Sequence, residues 1–163
     1  MAGGMLAFLR QRYRSARFVI LEPKNVACCY KAARQADDGA QVSGVQQTIM
    51  AGLNCGTPCS VVMPTLRQGA EFFMGCPDFV AAAGMRRADK PLEGDPQYVA
   101  GESGAVGLGA IELLLTRPEL ARVREAMDIN ENSVLLTINT EGAMAPSVWR
   151  SIVREGAHPL PEA

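Results

Sequence analysis

Four glycines, one acid and one hydroxyl fall within the ten residues Gly101–Ala110 (GESGAVGLGA), directly ahead of the apolar run Ile111-Glu112-Leu113-Leu114-Leu115. Each glycine inside a helix costs about 1 kcal/mol relative to alanine. A helix here must offset that through the close approach of a neighbouring helix, a backbone or a ligand. Ser103 has the hydroxyl of an N-cap, able to accept from first-turn amides. Those amides also form an anion-attracting pole. The residues predict a short strand over 98–100, a turn carrying Glu102 and Ser103, and a helix from about Gly104 to Thr116.

The remaining segments arrange themselves around that turn. Met1–Tyr13 reads as a helix, but Gly3-Gly4 stand where a capped start should be, a hint of chain upstream. Arg17–Pro23 is a continuous apolar run ended by proline, the pattern of a strand covered on both faces. Asn25 is placed to cap a helix through about Gln35. Short helices are expected over 48–53 and 64–71, a brief strand over Phe72–Met74, and a helix over 78–88. Helices over 118–127 and 146–154 flank a second clear strand, Ser133–Ile138, and the tail to Ala163 reads as loose. Strands alternating with helices predict an α/β layered fold with a mostly parallel sheet. Ligands bind such sheets at the carboxyl ends of strands. Three segments qualify: Glu22-Pro23, Gly101–Gly104 and Asn139–Gly142.

Charge and cysteine content exclude several classes. The 163 residues carry a net charge of −1, so there is no basic footprint for nucleic acid. No apolar run reaches the roughly 20 residues of a membrane span. Arg10, Arg12, Arg14 and Arg17 follow the first apolar stretch, the reverse of a signal peptide's order. Five cysteines, an odd number, argue against a disulfide framework and for a cytoplasmic protein with reduced thiols.

Familiar motifs are only imitated. Gly104, Gly107 and Gly109 reverse the glycine order of a dinucleotide fingerprint, and tight helix packing accounts for them more simply. Ser103, Asp128 and His158 follow the chain order of a serine hydrolase, but Ala105 stands where the nucleophile elbow needs glycine. Asp128–Asn139 starts like a calcium loop yet has Ser133 for its glycine and Asn139 for its closing glutamate. Cys55 and Cys59 lack a second ligand pair for a metal, Cys28-Cys29 read as helix core, and Cys55 with Cys76 is a candidate redox pair.

Five segments occur together and in order: Thr48–Pro58 (TIMAGLNCGTP), Ala83–Arg86 (AGMR), Gly94–Pro96 (GDP), Gly101–Gly109 and Asn139–Gly142 (NTEG). Over nearly the whole chain they resemble the C-terminal part of the diaminopropionate ammonia-lyase family, pyridoxal-phosphate enzymes of the tryptophan synthase β-like (fold type II) group. The resemblance implies a three-layer α/β fold, N-terminally truncated. It implies conversion of 2,3-diaminopropionate to pyruvate and ammonia in amino acid catabolism, with pyridoxal 5'-phosphate as cofactor. The partners it implies are a small amino-acid substrate, the upstream part of the enzyme and a second copy in a homodimer, with no nucleic acid or membrane. By resemblance Thr140, with Asn139 beside it, faces the pyridine nitrogen, and Glu102, Ser103 and Gly104 line the cofactor ring. No catalytic residue carries over. Lys24, Lys31 and Lys90 do not match the setting of the cofactor-bearing lysine, and the phosphate loop and acidic base lie upstream of the matching region. Asn139 replaces a family serine, and Ala143-Met144-Ala145 replaces a more polar stretch. The isolated chain is therefore expected to be inactive. The alternatives are a non-catalytic remnant or interaction module of the same fold and, less favoured, a serine hydrolase.

Overall fold

A computed structural model describes residues 1–44 and 46–161. The chain forms two compact units. One comprises Met1–Thr48 and Gly52–Pro77; the other begins at Asp78 and includes Ile49–Ala51.

The first unit is built on two parallel strands, β1 (Val19–Pro23) and β2 (Phe72–Cys76), with Val19 opposite Phe72 and Pro23 opposite Cys76. A parallel pair needs a long crossover, and residues 24–71 supply it, including helices α2 (Cys28–Gln35) and α3 (Met63–Gly69). Helix α1 (Ala2–Arg12) packs on α3, and Leu6, Ile20, Ala32, Met63 and Leu66 close the core. Arg10 fixes the entry to β1. It stacks over the Phe18 ring at 4.6 Å and pairs with Glu71 at 3.0 Å, while Glu71 accepts from the Phe18 amide at 2.6 Å.

Asn25 does not cap α2. A 3-10 turn over Lys24–Val26 intervenes, and the Asn25 amide donates to Gln47 O at 3.0 Å. The cap is Glu22, buried at the end of β1. Its carboxylate accepts from the amides of Cys29 and Tyr30, both at 2.8 Å. An acid six residues ahead of a helix falls outside any local capping rule, because the fold and not the spacing brings it there.

The second unit centres on α4 (Asp78–Asp89) against α5 (Glu102–Thr116). The two cross at Gly84 and Gly109. A Cβ on Gly84 would lie 2.7 Å from the Gly109 nitrogen, and one on Gly109 would lie 2.9 Å from the Gly84 nitrogen. Two of the glycines that opened the sequence reading thus work as helix-packing glycines. Around this crossing Ala82, Met85, Ala105 and Ile152 are buried. Helix α6 (Ala121–Ala126) follows a 3-10 turn over Pro118–Leu120, where one helix was expected. Helix α7 (Pro146–Val153) returns to α4, where Asp89 holds Arg154 through contacts of 2.8 and 2.9 Å.

Three expectations for this unit fail. Residues 98–100 form no strand; the Tyr98 amide donates to Ala88 O at 3.1 Å and Ala100 is buried. Residues 133–138 form no strand either: the Ser133 amide closes a turn onto Asn130 O at 3.0 Å, no described backbone pairs with 134–138, and a strand without a ladder is not stable. The tail is not loose as far as His158: the Arg86 guanidinium donates to Ala157 O at 3.2 Å and to His158 O at 2.8 Å. Glu162 and Ala163 lie outside the described residues.

Candidate functional site

Residues 137–142 lie along the N-terminal half of α5 in the second unit. The helix presents Gly101, Gly104 and Gly107, one per turn. A Cβ on Gly107 would sit 2.9 Å from Thr137 Cβ, one on Gly104 2.9 Å from the Glu141 nitrogen, and one on Gly101 2.6 Å from Glu141 Cγ. The absence of Cβ atoms is what lets an extended segment lie this close to a helix.

At the helix start the segment is pinned by hydrogen bonds. Glu141 Oε2 accepts from the Ser103 amide at 2.6 Å and the Gly104 amide at 3.3 Å. Its carbonyl accepts from the Gly101 amide at 2.8 Å. Asn139 donates from Nδ2 to Val99 O at 3.2 Å and accepts from the Glu141 amide at 3.3 Å. The helix is therefore capped by a carboxylate 38 residues away, where an anion is favoured by both the free amides and the helix dipole. Ser103 is not the N-cap. Gly101 holds that position, and Ser103 sits within the first turn. The anion-attracting pole anticipated in the sequence is filled by this chain's own carboxylate, so it is not open to a phosphate.

This arrangement brings Glu102, Ser103, Gly104, Asn139 and Thr140 to one end of α5. Glu102 is buried, Asn139 and Thr140 are exposed, and the Thr140 hydroxyl makes no hydrogen bond among the described residues. Glu141 is the residue that sequence reasoning missed. Its side chain faces the helix only because Asn139 and the glycine stripe turn it there.

The imitated motifs resolve into structural roles. Ser103 lies inside a regular helix with no strand before it, so there is no nucleophile elbow. In the calcium-like stretch Asn130 Oδ1 accepts from the Asn132 amide at 2.9 Å and Ser133 Oγ from the Asn130 amide at 3.0 Å, which makes it a helix-end turn. All five cysteines are free. Glu22, Cys28 and Cys29 place ligand atoms within 4.8 Å of one another in the first unit. Burial and then the Glu22 charge push the Cys28 thiol up to about 11 and raise Cys29 further, so both stay protonated while Glu22 caps α2. Burial alone raises Cys76 to about 11.

Reactivity follows from thiolate fraction and access. Native protein at neutral pH should titrate two thiols rapidly with an aromatic disulfide reagent, the exposed Cys55 and Cys59, and all five in denaturant. Rapid reaction of Cys28 or Cys76, read by peptide mapping, would contradict their burial.

No family model matches the chain. It is 39% identical over 160 residues to diaminopropionate ammonia-lyase of Escherichia coli strain K12, a match covering 97% of this chain and 40% of that enzyme. A crystal structure of the Escherichia coli enzyme in complex with an aminoacrylate–PLP azomethine reaction intermediate superposes with a TM-score of 0.87 at 37% identity, covering 98% of this chain and 40% of that one. Maize serine racemase shares the fold, with a TM-score of 0.64 at 17% identity over 94% of this chain and 43% of that one. The chain is thus related to diaminopropionate ammonia-lyase over nearly all its own length. It spans about two fifths of that relative's length. No helix among the described residues is long and apolar enough to cross a membrane.

Proposed function

We propose that this chain, related to diaminopropionate ammonia-lyase, supplies one wall of a pyridoxal-phosphate site. It would work with polypeptide equivalent to the three fifths of the relative that it does not match. The observation that carries this reading is the 39% identity sustained over 160 residues. The reaction is elimination of ammonia from 2,3-diaminopropionate followed by hydrolysis, in which one water is consumed and pyruvate and a second ammonia are released. The setting is cytoplasmic amino acid catabolism by a homodimer. The cofactor, when bound, supplies the electron sink.

This chain's residues fit one edge of the cofactor. Thr140 presents an exposed hydroxyl on a turn fixed by Glu141 and Asn139, suited to donate to a pyridine nitrogen. Glu102, Ser103, Gly104 and Asn139 form the wall beside it. The Ser103 and Gly104 amides act indirectly, by holding Glu141 and so the turn. Lys31 donates to Gln41 O, and Lys24 and Lys90 are exposed. None of them stands in the turn.

The test is a pyruvate-release assay with 2,3-diaminopropionate and pyridoxal phosphate, coupled to lactate dehydrogenase. The chain alone should give none. Combined with polypeptide equivalent to the unmatched part of the relative, it should give pyruvate. Release by the chain alone would overturn the need for that part. A folded combination that binds cofactor yet releases no pyruvate would favour a non-catalytic module of the same fold.

A further inference from the structure

Asp89, the last residue of α4, lies outside the candidate site, yet both flanks of the Asn139–Gly142 turn lead back to its carboxylate. That side chain is only 6% exposed. On one flank Gln97 Nε2 donates to Asp89 Oδ1 at 3.2 Å, and the next amide, of Tyr98, donates to Ala88 O at 3.1 Å. These two contacts hold the neighbouring Val99, whose carbonyl accepts from Asn139 Nδ2 at 3.2 Å. On the other flank α7 follows the turn and closes at Arg154. The Arg154 guanidinium donates to Asp89 Oδ2 at 2.8 Å and to Oδ1 at 2.9 Å. A two-pronged guanidinium–carboxylate contact fixes direction as well as distance. The same guanidinium lies 5.2 Å from the Trp149 ring, so the end of α7 is held and not a loose side chain alone.

From this we infer that Asp89 is a positioning residue for the turn that carries Thr140, acting through Gln97 and Arg154 and touching neither substrate nor cofactor. The inference rests on the reading under Proposed function, which sets the cofactor beside that turn. An ion pair that only joined α4 to α7 would need one donor. This carboxylate has donors on both flanks of one turn. Glu141 ties the middle of the turn to the start of α5. Asn139, through Val99, ties its beginning, and Arg154, through α7, ties the chain that leaves it. Thr140 stands between Asn139 and Glu141 with an exposed side chain, so its place is set by what holds those neighbours. Loss of the Asp89 carboxylate would leave Gln97 and Arg154 without this acceptor and release both flanks together. The crossing of α4 and α5 at Gly84 and Gly109 would keep its own contacts.

Amide hydrogen exchange on the chain alone reads the hold on the turn. Pyridoxal phosphate affinity of the chain combined with the unmatched part of the Escherichia coli enzyme reads its consequence. The Gly101 amide bonds to Glu141 O, and the Glu141 amide to Asn139 Oδ1. In Asp89→Ala both should exchange about tenfold faster than in the parent, while the amides of 106–113 within α5 keep the parent rate. Asp89→Asn, which retains an acceptor oxygen, should stay within about threefold of the parent. Gln97→Ala, at an exposed position that does not threaten folding, should speed the same two amides about threefold. In the combined protein Asp89→Ala should bind pyridoxal phosphate about tenfold more weakly, and Asp89→Asn close to the parent value. Unchanged exchange at Gly101 and Glu141 in both alanine variants overturns the inference. So does equal acceleration throughout α5, which would make Asp89 a stability residue only. Parental cofactor affinity in the combined Asp89→Ala protein also overturns it but leaves the proposed function standing. A combined parent protein that folds and takes up no cofactor overturns the proposed function instead, and the exchange rates still decide whether Asp89 holds the turn.

Discussion

Gly109→Ala should destabilise the α4–α5 unit by about 2 kcal/mol. Replacing a helical glycine with alanine ordinarily gains about 1 kcal/mol. Here the new methyl would meet the Val80 carbonyl oxygen and lie 2.9 Å from both the Val80 carbonyl carbon and the Gly84 nitrogen. These are backbone atoms of the facing helix, so no side chain can rotate away. Overpacking of this kind costs about 1–3 kcal/mol and occasionally more, which exceeds the propensity gain. For a chain of this size the melting midpoint should fall by roughly 4–8 °C. Gly4→Ala is the matched control: it is also helical, but nothing lies within 4 Å of its Cβ position, so its midpoint should hold or rise. If Gly109→Ala behaves like Gly4→Ala in a thermal melt, helices α4 and α5 do not approach as closely as described.

Replacing Glu141 should affect the site more than the fold. Glu141→Ala removes the acceptor for the Ser103 and Gly104 amides and the charge at the helix N-terminus, a loss of about 2 kcal/mol on the usual scale of caps and helix-end charges. It also frees the turn that carries Thr140. Misplacing a positioning element by about 1 Å can cost about a hundredfold in rate, and a drop of that order is expected in pyruvate release by the complemented protein. Glu141→Gln keeps an acceptor oxygen in place and should retain most of the rate. Because Glu141 acts through the turn, cofactor affinity should fall along with the rate in the alanine variant and recover in the glutamine one. Equal rates for both variants and the parent would remove Glu141 from any positioning role.

Local sequence determined the elements whose stability is local or whose burial is uniform. The helices over 2–12, 63–69, 78–89 and 146–153 and the strands at Val19 and Phe72 follow from periodicity, Pro23 as a stop and the apolar run before it. The glycine-rich stretch was legible as a helix under a close-approach constraint, and its resemblance to the ammonia-lyase family agreed with the relatives later found. What approached the glycines was not legible, because the partners come from far along the chain. Gly84 meets Gly109, while Thr137, Asn139 and Glu141 meet Gly107, Gly104 and Gly101. Both helix caps were missed for the same reason. Glu22 and Glu141 reach amides that tertiary structure places beside them, whereas Asn25 and Ser103 satisfied only the local rule. The stretch 133–138 shows the reverse limit. Its composition states a strand, but a strand exists only as part of a ladder, so its state is decided by whether another backbone lies alongside. Sequence alone therefore settled which segments prefer helix or extended chain, since those preferences depend on neighbouring residues. Which carboxylate caps which helix, and which extended segment stands unpaired, were decided by contacts that exist only once the chain has folded.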